Sequence, residues 1–312
     1  VNDRVYLTRG KSTDNAPVAT LEAYDLETGK PQWSSSLDTT FTFGAPLFDL
    51  RPIYHDGVLY VNVDERFIND PPVVTDDAIY GAGLNSLICF EHDGSERWEF
   101  APDGHMNYPS TPAVLDGTVY TVTDRTLVAL DADSGEQLWT GESGEVMSNV
   151  IATENEIVQA GIGVQVFEPD GTERWAEDTT QKASIRPAVD DETVYCADLD
   201  GNVLARELSS GDLRWQRTLP EQEWSQGTIP VVTDRAVNLH RTNGEKTTVY
   251  ALNAEDGKTK WKISKKGTRS RGPILARDTV VFTTQYTPPK QRESKTVSDG
   301  LDTTSQLWTY DI

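Results

Sequence analysis

The sequence has no long apolar run and few basic residues. No apolar stretch approaches the roughly 18 residues that a membrane-spanning helix needs. Only 28 Lys and Arg face 50 Asp and Glu, which gives a net charge of −22 over 312 residues. Because such a surface repels phosphate backbones, the composition argues against nucleic acid as a partner.

The excess of carboxylates favours a halophilic protein. Molar salt shortens the Debye length to about 3 Å, so charge repulsion that strains a fold in dilute buffer is screened. Ordinary solubility is the alternative explanation of the same charge.

Motifs for catalysis are also missing. The sequence has no GxSxG elbow, no phosphate-binding glycine pattern and no CxxCH haem site. Its four histidines show no metal-ligand spacing. One acidic stretch, NDPPVVTDD, offers Asp70, Asp76 and Asp77 as candidate cation ligands, but it lacks the regular alternation of an EF-hand loop. A solvated acidic loop is the alternative, and no catalytic residue is predicted.

A glycine followed at the fourth position by a tryptophan recurs six times. Before each pair stands a short β-rich segment such as TLEAYDL, LVALD or VYALN, and polar turn formers separate the two. This pattern predicts a hairpin whose glycine occupies the left-handed position of a short bulged turn. The tryptophans are Trp33, Trp98, Trp139, Trp175, Trp215 and Trp261.

A second repeated element lies upstream of most of these hairpins. It is a strand that opens with proline and usually has an aromatic residue eight positions later, as in Pro112 and Tyr120 or Pro187 and Tyr195, although Pro230 leads to Asn238. Each repeat therefore predicts two hairpins, or four antiparallel strands, A to D. A unit of about 40 residues cannot bury both of its faces alone, and the radial solution is a β-propeller.

The predicted fold is an all-β propeller of four-stranded antiparallel blades in one domain spanning 1–312. Seven blades are visible, the first and last incomplete, and the intact protein is expected to have 7 or 8, an eighth lying outside this segment. The predicted blades span about 1–36, 50–101, 110–142, 148–178, 184–218, 227–264 and 271–312.

The turn pattern resembles the PQQ-like repeat, roughly YALD-x-x-TG-x-x-x-W, over essentially the whole chain. That family includes quinoprotein dehydrogenases, BamB-type lipoproteins of bacterial outer-membrane assembly and archaeal surface proteins. The resemblance implies that the six tryptophans pack between neighbouring blades rather than bind a ligand.

Quinoprotein alcohol dehydrogenases carry an adjacent cysteine pair beside their cofactor, and Glu, Asn and Asp ligands for calcium. Here Cys89 and Cys196 fall in different blades, no position matches those ligands, and no cofactor is predicted. The two cysteines are expected to be buried free thiols.

Long connections suggest where a partner would bind. The predicted B to C loops are longest at 9–20, 65–85 and 286–305, and the crossings 36–49 and 101–110 belong to the same face. They contain aromatic and basic residues of the types enriched at protein interfaces. The candidate contact residues are Phe41, Phe43, Arg66, Phe67, Tyr80, Tyr108, Tyr286, Lys290 and Arg292.

The sequence thus predicts a non-catalytic, extracytoplasmic propeller that acts as a protein-interaction scaffold or ligand-binding module at the cell surface. A signal and any membrane anchor are expected outside this segment. Two alternatives stay open: a PQQ-dependent dehydrogenase-like enzyme and the sensor ectodomain of a membrane receptor.

Overall fold

The protein is described here by a computed structural model. The model describes residues 4–11, 18–25, 28, 30–37, 53–55, 58–60, 73–82, 86–91, 95–102, 110–123, 125–142, 149–160, 163–177, 187–198, 200–220, 230–233, 235–242, 245–267, 269–276, 279–286 and 304–311. These residues form β-strands and turns without a helix, which confirms the all-β prediction.

The chain divides into two compact units, of which the first comprises Val1–Ile157 and Glu168–Thr172. Its strands form sheets with the orders β1-β2-β3, β4-β5, β6-β7-β8-β9 and β10-β11-β12-β13. They are β1 (Arg4–Lys11), β2 (Val18–Asp25), β3 (Pro31–Leu37), β4 (Ile53–His55), β5 (Val58–Tyr60), β6 (Val73–Val74), β7 (Ile79–Ala82), β8 (Leu87–Phe90), β9 (Glu96–Phe100), β10 (Ala113–Leu115), β11 (Thr118–Thr123), β12 (Thr126–Asp131), β13 (Gln137–Glu142) and β14 (Asn149–Ala152).

The second unit comprises Val158–Phe167 and Glu173–Ile312. Its sheets have the orders β18-β19-β20-β21, β22-β23-β24-β25 and β26-β27-β28, and the division between the units falls within the sheet β14-β15-β16-β17. The strands are β15 (Ile157–Ala160), β16 (Val164–Phe167), β17 (Glu173–Glu177), β18 (Ala188–Val189), β19 (Thr193–Ala197), β20 (Asn202–Glu207), β21 (Leu213–Thr218), β22 (Val231–Thr233), β23 (Ala236–Thr242), β24 (Lys246–Asn253), β25 (Thr259–Lys266), β26 (Arg269–Ala276), β27 (Thr279–Tyr286) and β28 (Thr304–Asp311).

The sheets confirm the predicted blade pattern of four antiparallel strands in chain order. The first and last sheets have three strands each, as the two incomplete blades require. The prediction for blade two was wrong. Residues 50–101 hold two sheets, β4-β5 and β6-β7-β8-β9, and the predicted loop 65–85 contains β6 and β7. The described residues therefore form eight sheets, one more than the seven predicted blades.

The repeated proline marks a constant register between the first two strands of a sheet. The first residue after the proline pairs across the hairpin with the eighth residue after the proline. The pairs are Val73 with Tyr80, Ala113 with Tyr120, and Ala188 with Tyr195. Since Pro72 precedes Val73 just as Pro52 precedes Ile53, both hairpins carry the same signal.

Apolar strand residues form a core between successive sheets within each unit. In the first unit, Leu87 packs with Val119, Val128 and Leu130, all nearly inaccessible to solvent. In the second unit, a similar cluster joins β19–β21 to β23 and β24. Burying each such side chain contributes about 1.5–3 kcal/mol, so these layers hold neighbouring sheets together.

Candidate functional site

Each of three sheets carries a row of two rings separated by a small residue. Tyr120 on the second strand pairs with Ala129 on the third, which pairs with Trp139 on the fourth. The Tyr120 and Trp139 ring centroids are 5.9 Å apart, since the alanine leaves room between them. The same arrangement joins Tyr80, Cys89 and Trp98, and Tyr195, Ala205 and Trp215, with ring centroids 6.0 Å apart.

Four motif tryptophans reach across to the sheet that follows in sequence. Trp98 Nε1 donates a hydrogen bond to the Ala132 carbonyl at 2.9 Å, and Trp215 Nε1 donates to the Ala254 carbonyl at 2.8 Å. Trp139 and Trp175 donate in the same way to the carbonyls of Pro169 and Leu208. Each acceptor lies in the turn before a fourth strand, so the indole ties one sheet to the turn of the next. The Trp33 side chain lies outside what is described, and Trp261 packs on Val249, Val280 and Phe282.

The motif glycine is required for two reasons. Gly135, Gly171, Gly211 and Gly257 all have φ between 68° and 91°, which L side chains rarely adopt. A Cβ on Gly135 would also lie 2.7 Å from Cδ2 of Trp98, and a Cβ on Gly257 would lie 2.5 Å from Cε3 of Trp215. The indole of the preceding sheet therefore packs directly against the glycine, and the repeated residues have a structural role.

Ion pairs and capped turns line the edge formed by these turns. The Arg97 guanidinium binds both carboxylate oxygens of Glu91, at 2.6 and 2.8 Å, and Arg214 bridges Glu207 and Glu192. The backbone and side chain of Ser134 donate to the Asp131 carboxylate, which lowers its pKa. Carboxylates that cap turns in this way stay ionised and structural.

Two of the three predicted cation ligands lie among the described residues. Asp76 and Asp77 lie exposed in the tight turn between β6 and β7, where Arg97 donates a hydrogen bond to the Asp77 carbonyl. Asp70 lies outside the described residues. Within the described ranges, no three His, Cys, Asp or Glu side chains are grouped as metal ligands would be.

Most of the predicted binding face falls outside the described residues, namely Phe41, Phe43, Arg66, Phe67, Tyr108, Lys290 and Arg292. The assignment of Tyr80 to this face was wrong. Tyr80 belongs to β7 and is 1% exposed, because its ring packs on Trp98. Tyr286 is the last residue of β27, paired with Thr304, so the predicted loop begins after it.

Cys89 and Cys196 are free and buried, as predicted. Burial raises the pKa of the Cys89 thiol to about 11 and that of the Cys196 thiol to about 12, so both are protonated and unreactive near neutrality. They lie on β8 and β19, in different sheets, and Cys89 occupies the small-residue position between two rings. These cysteines therefore do not fit the adjacent pair that borders PQQ in quinoprotein alcohol dehydrogenases.

A pocket of about 320 Å³ lies at the turns of the sheet β22–β25. It is lined by Arg235, Asn253, Ala254, Glu255 and Lys260, a mostly polar set. Lys260 belongs to a run of basic residues on and after β25 that the sequence motifs do not indicate. The absence of any carboxylate between 258 and 277 is the signal that could have found it.

Among the described residues, no helix is long and apolar enough to cross a membrane.

Comparison with known proteins gives relatives of two kinds. A family model described as outer membrane protein assembly factor BamB matches residues 17–162 and 160–312. Over 188 residues the chain is 31% identical to the serine/threonine-protein kinase AfsK of Streptomyces griseus, covering 59% of this chain and 19% of the kinase. It is 23% identical over 176 residues to the outer membrane protein assembly factor BamB of Burkholderia pseudomallei (strain K96243), covering 54% of this chain and 45% of that protein. The chain thus spans less than half the length of either relative.

Among solved structures, the chain resembles the crystal structure of BamB from Moraxella catarrhalis, with a TM-score of 0.56 and 16% identity over 86% of this chain and 78% of that one. This likeness shows the fold, a β-propeller of four-stranded antiparallel blades. Since the family model matches nearly the whole sequence, the chain belongs to the BamB-like family of PQQ-repeat β-propellers.

Proposed function

We propose that this propeller is a non-catalytic protein-interaction scaffold that works outside the cytoplasm of a halophilic organism. The observation that carries the proposal is the use of the repeated residues. The tryptophans, turn glycines and buried tyrosines contact one another, so the repeated residues are used to hold the sheets together rather than to form a reaction site.

The relative from Burkholderia is named as an assembly factor of the outer membrane, which is a task of protein association. The net charge of −22 supports a salt-rich environment, because such a surface is stable where its self-repulsion is screened. We place the partner surface on the loops that carry Phe41, Phe43 and Phe67, since aromatic residues dominate the binding energy of many interfaces.

A capture experiment tests the scaffold. The tagged chain is incubated with the native membrane and secreted fractions, and bound proteins are identified by mass spectrometry. We expect recovery of specific partners that falls by about tenfold in Phe41→Ala/Phe43→Ala/Phe67→Ala, as loss of hot-spot aromatics predicts. Leu138→Ser is the matched control, because Leu138 is a large apolar side chain, 54% exposed on the outer strand β13.

Two results would count against this function. If the parent protein recovers no partner above a mock capture, it is not a scaffold in these fractions. If the purified chain reduces an electron-accepting dye with an alcohol after addition of PQQ and Ca²⁺, it is an enzyme. If the triple variant and the control recover the same proteins as the parent, the scaffold stands but the binding surface lies elsewhere.

A further inference from the structure

A basic segment interrupts the acidic sequence. Residues 258–277 contain eight Lys and Arg and no Asp or Glu, in a chain with 50 acidic residues. Five of the eight are lysines on or beside the strand β25, at positions 258, 260, 262, 265 and 266. The segment therefore carries a concentrated positive charge that the protein as a whole does not.

The strand β25 is the outer edge of its sheet. It pairs with β24 on one side, and the sheet order ends with it. Its exposed residues alternate, so Lys260, Lys262, Ser264 and Lys266 form one face. Lys266 lies directly opposite Lys246 on β24, an arrangement that costs stability in an isolated sheet.

The main-chain hydrogen-bond pattern shows which backbone groups of β25 point away from β24. Gly267 N donates to the Glu245 carbonyl at 2.9 Å, which marks 245 and 267 as a hydrogen-bonded pair of the ladder. Such pairs alternate along antiparallel strands, so 265, 263 and 261 bond to β24. The N–H and C=O groups of Lys262 and Ser264 therefore point away from β24, at the outer edge of the sheet.

Other fourth strands do not share this combination. β9 (ERWEF) and β17 (ERWAE) carry acidic residues, and β21 (LRWQRT) has its Arg214 tied to Glu207 and Glu192. Those strands have five or six residues, whereas β25 has eight. Lysine on an edge strand also protects against aggregation, whereas β9 and β17 carry residues of both charges at the same position in their sheets.

We propose that β25 receives an extended acidic segment of a partner protein, which adds to the sheet as a further strand. Main-chain hydrogen bonds form with the outward groups of Lys262 and Ser264, and carboxylates of the segment meet the lysine ammonium groups. The Lys262 Nζ atom lies 5.9 Å from the Tyr250 ring centroid, which holds one ammonium over the sheet face. This inference rests on the proposed scaffold function and names a partner class and a surface for it.

The test uses a fluorescent synthetic peptide that alternates glutamate with valine and threonine, and its glutamine analogue. Anisotropy is measured with the full chain at the lowest KCl concentration that preserves its native circular dichroism. We expect saturable binding of the glutamate peptide, at least about tenfold tighter than that of the glutamine peptide. Amide exchange should slow at Lys262 and Ser264 when the peptide binds.

Matched variants separate the charge from the backbone. Ser264→Pro removes an outward N–H without changing charge and should abolish binding, whereas Ser264→Ala should retain it. Lys262→Glu should weaken binding by about tenfold or more. Lys30→Glu changes the charge equally at an exposed lysine before β3 and should leave binding unchanged.

Several outcomes would overturn the proposal. These are equal binding of the two peptides, equal loss in Lys30→Glu and Lys262→Glu, and binding that survives in both Ser264→Pro and Lys262→Glu. Binding of phosphatidylglycerol vesicles in place of the peptide would assign the strand to a lipid surface, and self-association lost in Ser264→Pro would assign it to a second copy. If Ser264→Pro captures the same native proteins as the parent, the strand proposal fails while the scaffold function stands.

Discussion

Replacing Gly135 by alanine tests whether the turn glycine is needed for the Trp98 indole to pack against it. At φ 71° the alanine occupies the left-handed region, which costs about 1–2 kcal/mol. Its Cβ would also lie 2.7 to 2.9 Å from Cδ2, Cε3 and Cγ of Trp98, three atoms of a rigid ring. Moving that ring strains the packing by a further 1–3 kcal/mol, roughly, as overpacked cores do.

Gly117 provides a matched control in the same sheet. Its φ of 73° is nearly the same, but a Cβ there would meet nothing within 4 Å. Gly117→Ala should therefore show the backbone cost alone, and the two variants share the same effect on the unfolded chain. We expect Gly135→Ala to be the more destabilising by about 1–3 kcal/mol.

The assay is urea unfolding followed by far-UV circular dichroism at one KCl concentration. A double-mutant cycle with Trp98→Leu adds a direct check, because removal of the ring should reduce the cost of Gly135→Ala to that of Gly117→Ala. The expected coupling energy is about 1–3 kcal/mol. Equal costs for the two alanine variants, or no coupling to Trp98, would refute the packing argument.

Three further predictions concern the core, the thiols and the charge. Trp215→Ala should cost about 3–5 kcal/mol, and Trp215→Phe should cost less because it mainly loses the hydrogen bond to Ala254; equal losses in urea titration would contradict this. Since burial raises the pKa values of Cys89 and Cys196, the unfolded chain loses thiol protons first, and the free energy of unfolding should fall as pH rises above about 9, by up to about 1.4 kcal/mol per unit per thiol. Replacing both cysteines by alanine should reduce this slope between about pH 9 and 10, and an unchanged slope would argue against buried thiols. The melting temperature should rise between about 0.1 and 3 M KCl by more than that of a near-neutral propeller. A melting temperature that does not change with KCl would mean that the net charge of −22 reflects ordinary solubility rather than adaptation to salt.

The sequence repeats predict that the sheets exist more accurately than they predict where each sheet begins and ends. The glycine and tryptophan spacing located the hairpin before each fourth strand, because turn chemistry and strand alternation are local properties. The same reasoning misplaced β6 and β7. Pro52 and Pro72 open equally good hairpins, and only strand pairing shows that the second one joins β8 and β9.

Site residues were harder to predict than strands. The sequence assigns Tyr80 to the long predicted loop 65–85, yet its ring is buried against Trp98. The pattern that identifies it is the proline eight residues earlier, which the structure explains through the pairing of Val73 with Tyr80. The assignment of function to the long loops stays a prediction.

The sequence by itself determined the all-β class, the repeated hairpins and the glycine at each bulged turn, because each depends on residues within a few positions of one another. Only the tertiary structure decided that an indole rests on the glycine of the next sheet, and that the lysines of β25 share an edge with outward main-chain groups. Those facts depend on which strands pair and which sheets are neighbours, and such contacts join residues that are far apart in sequence.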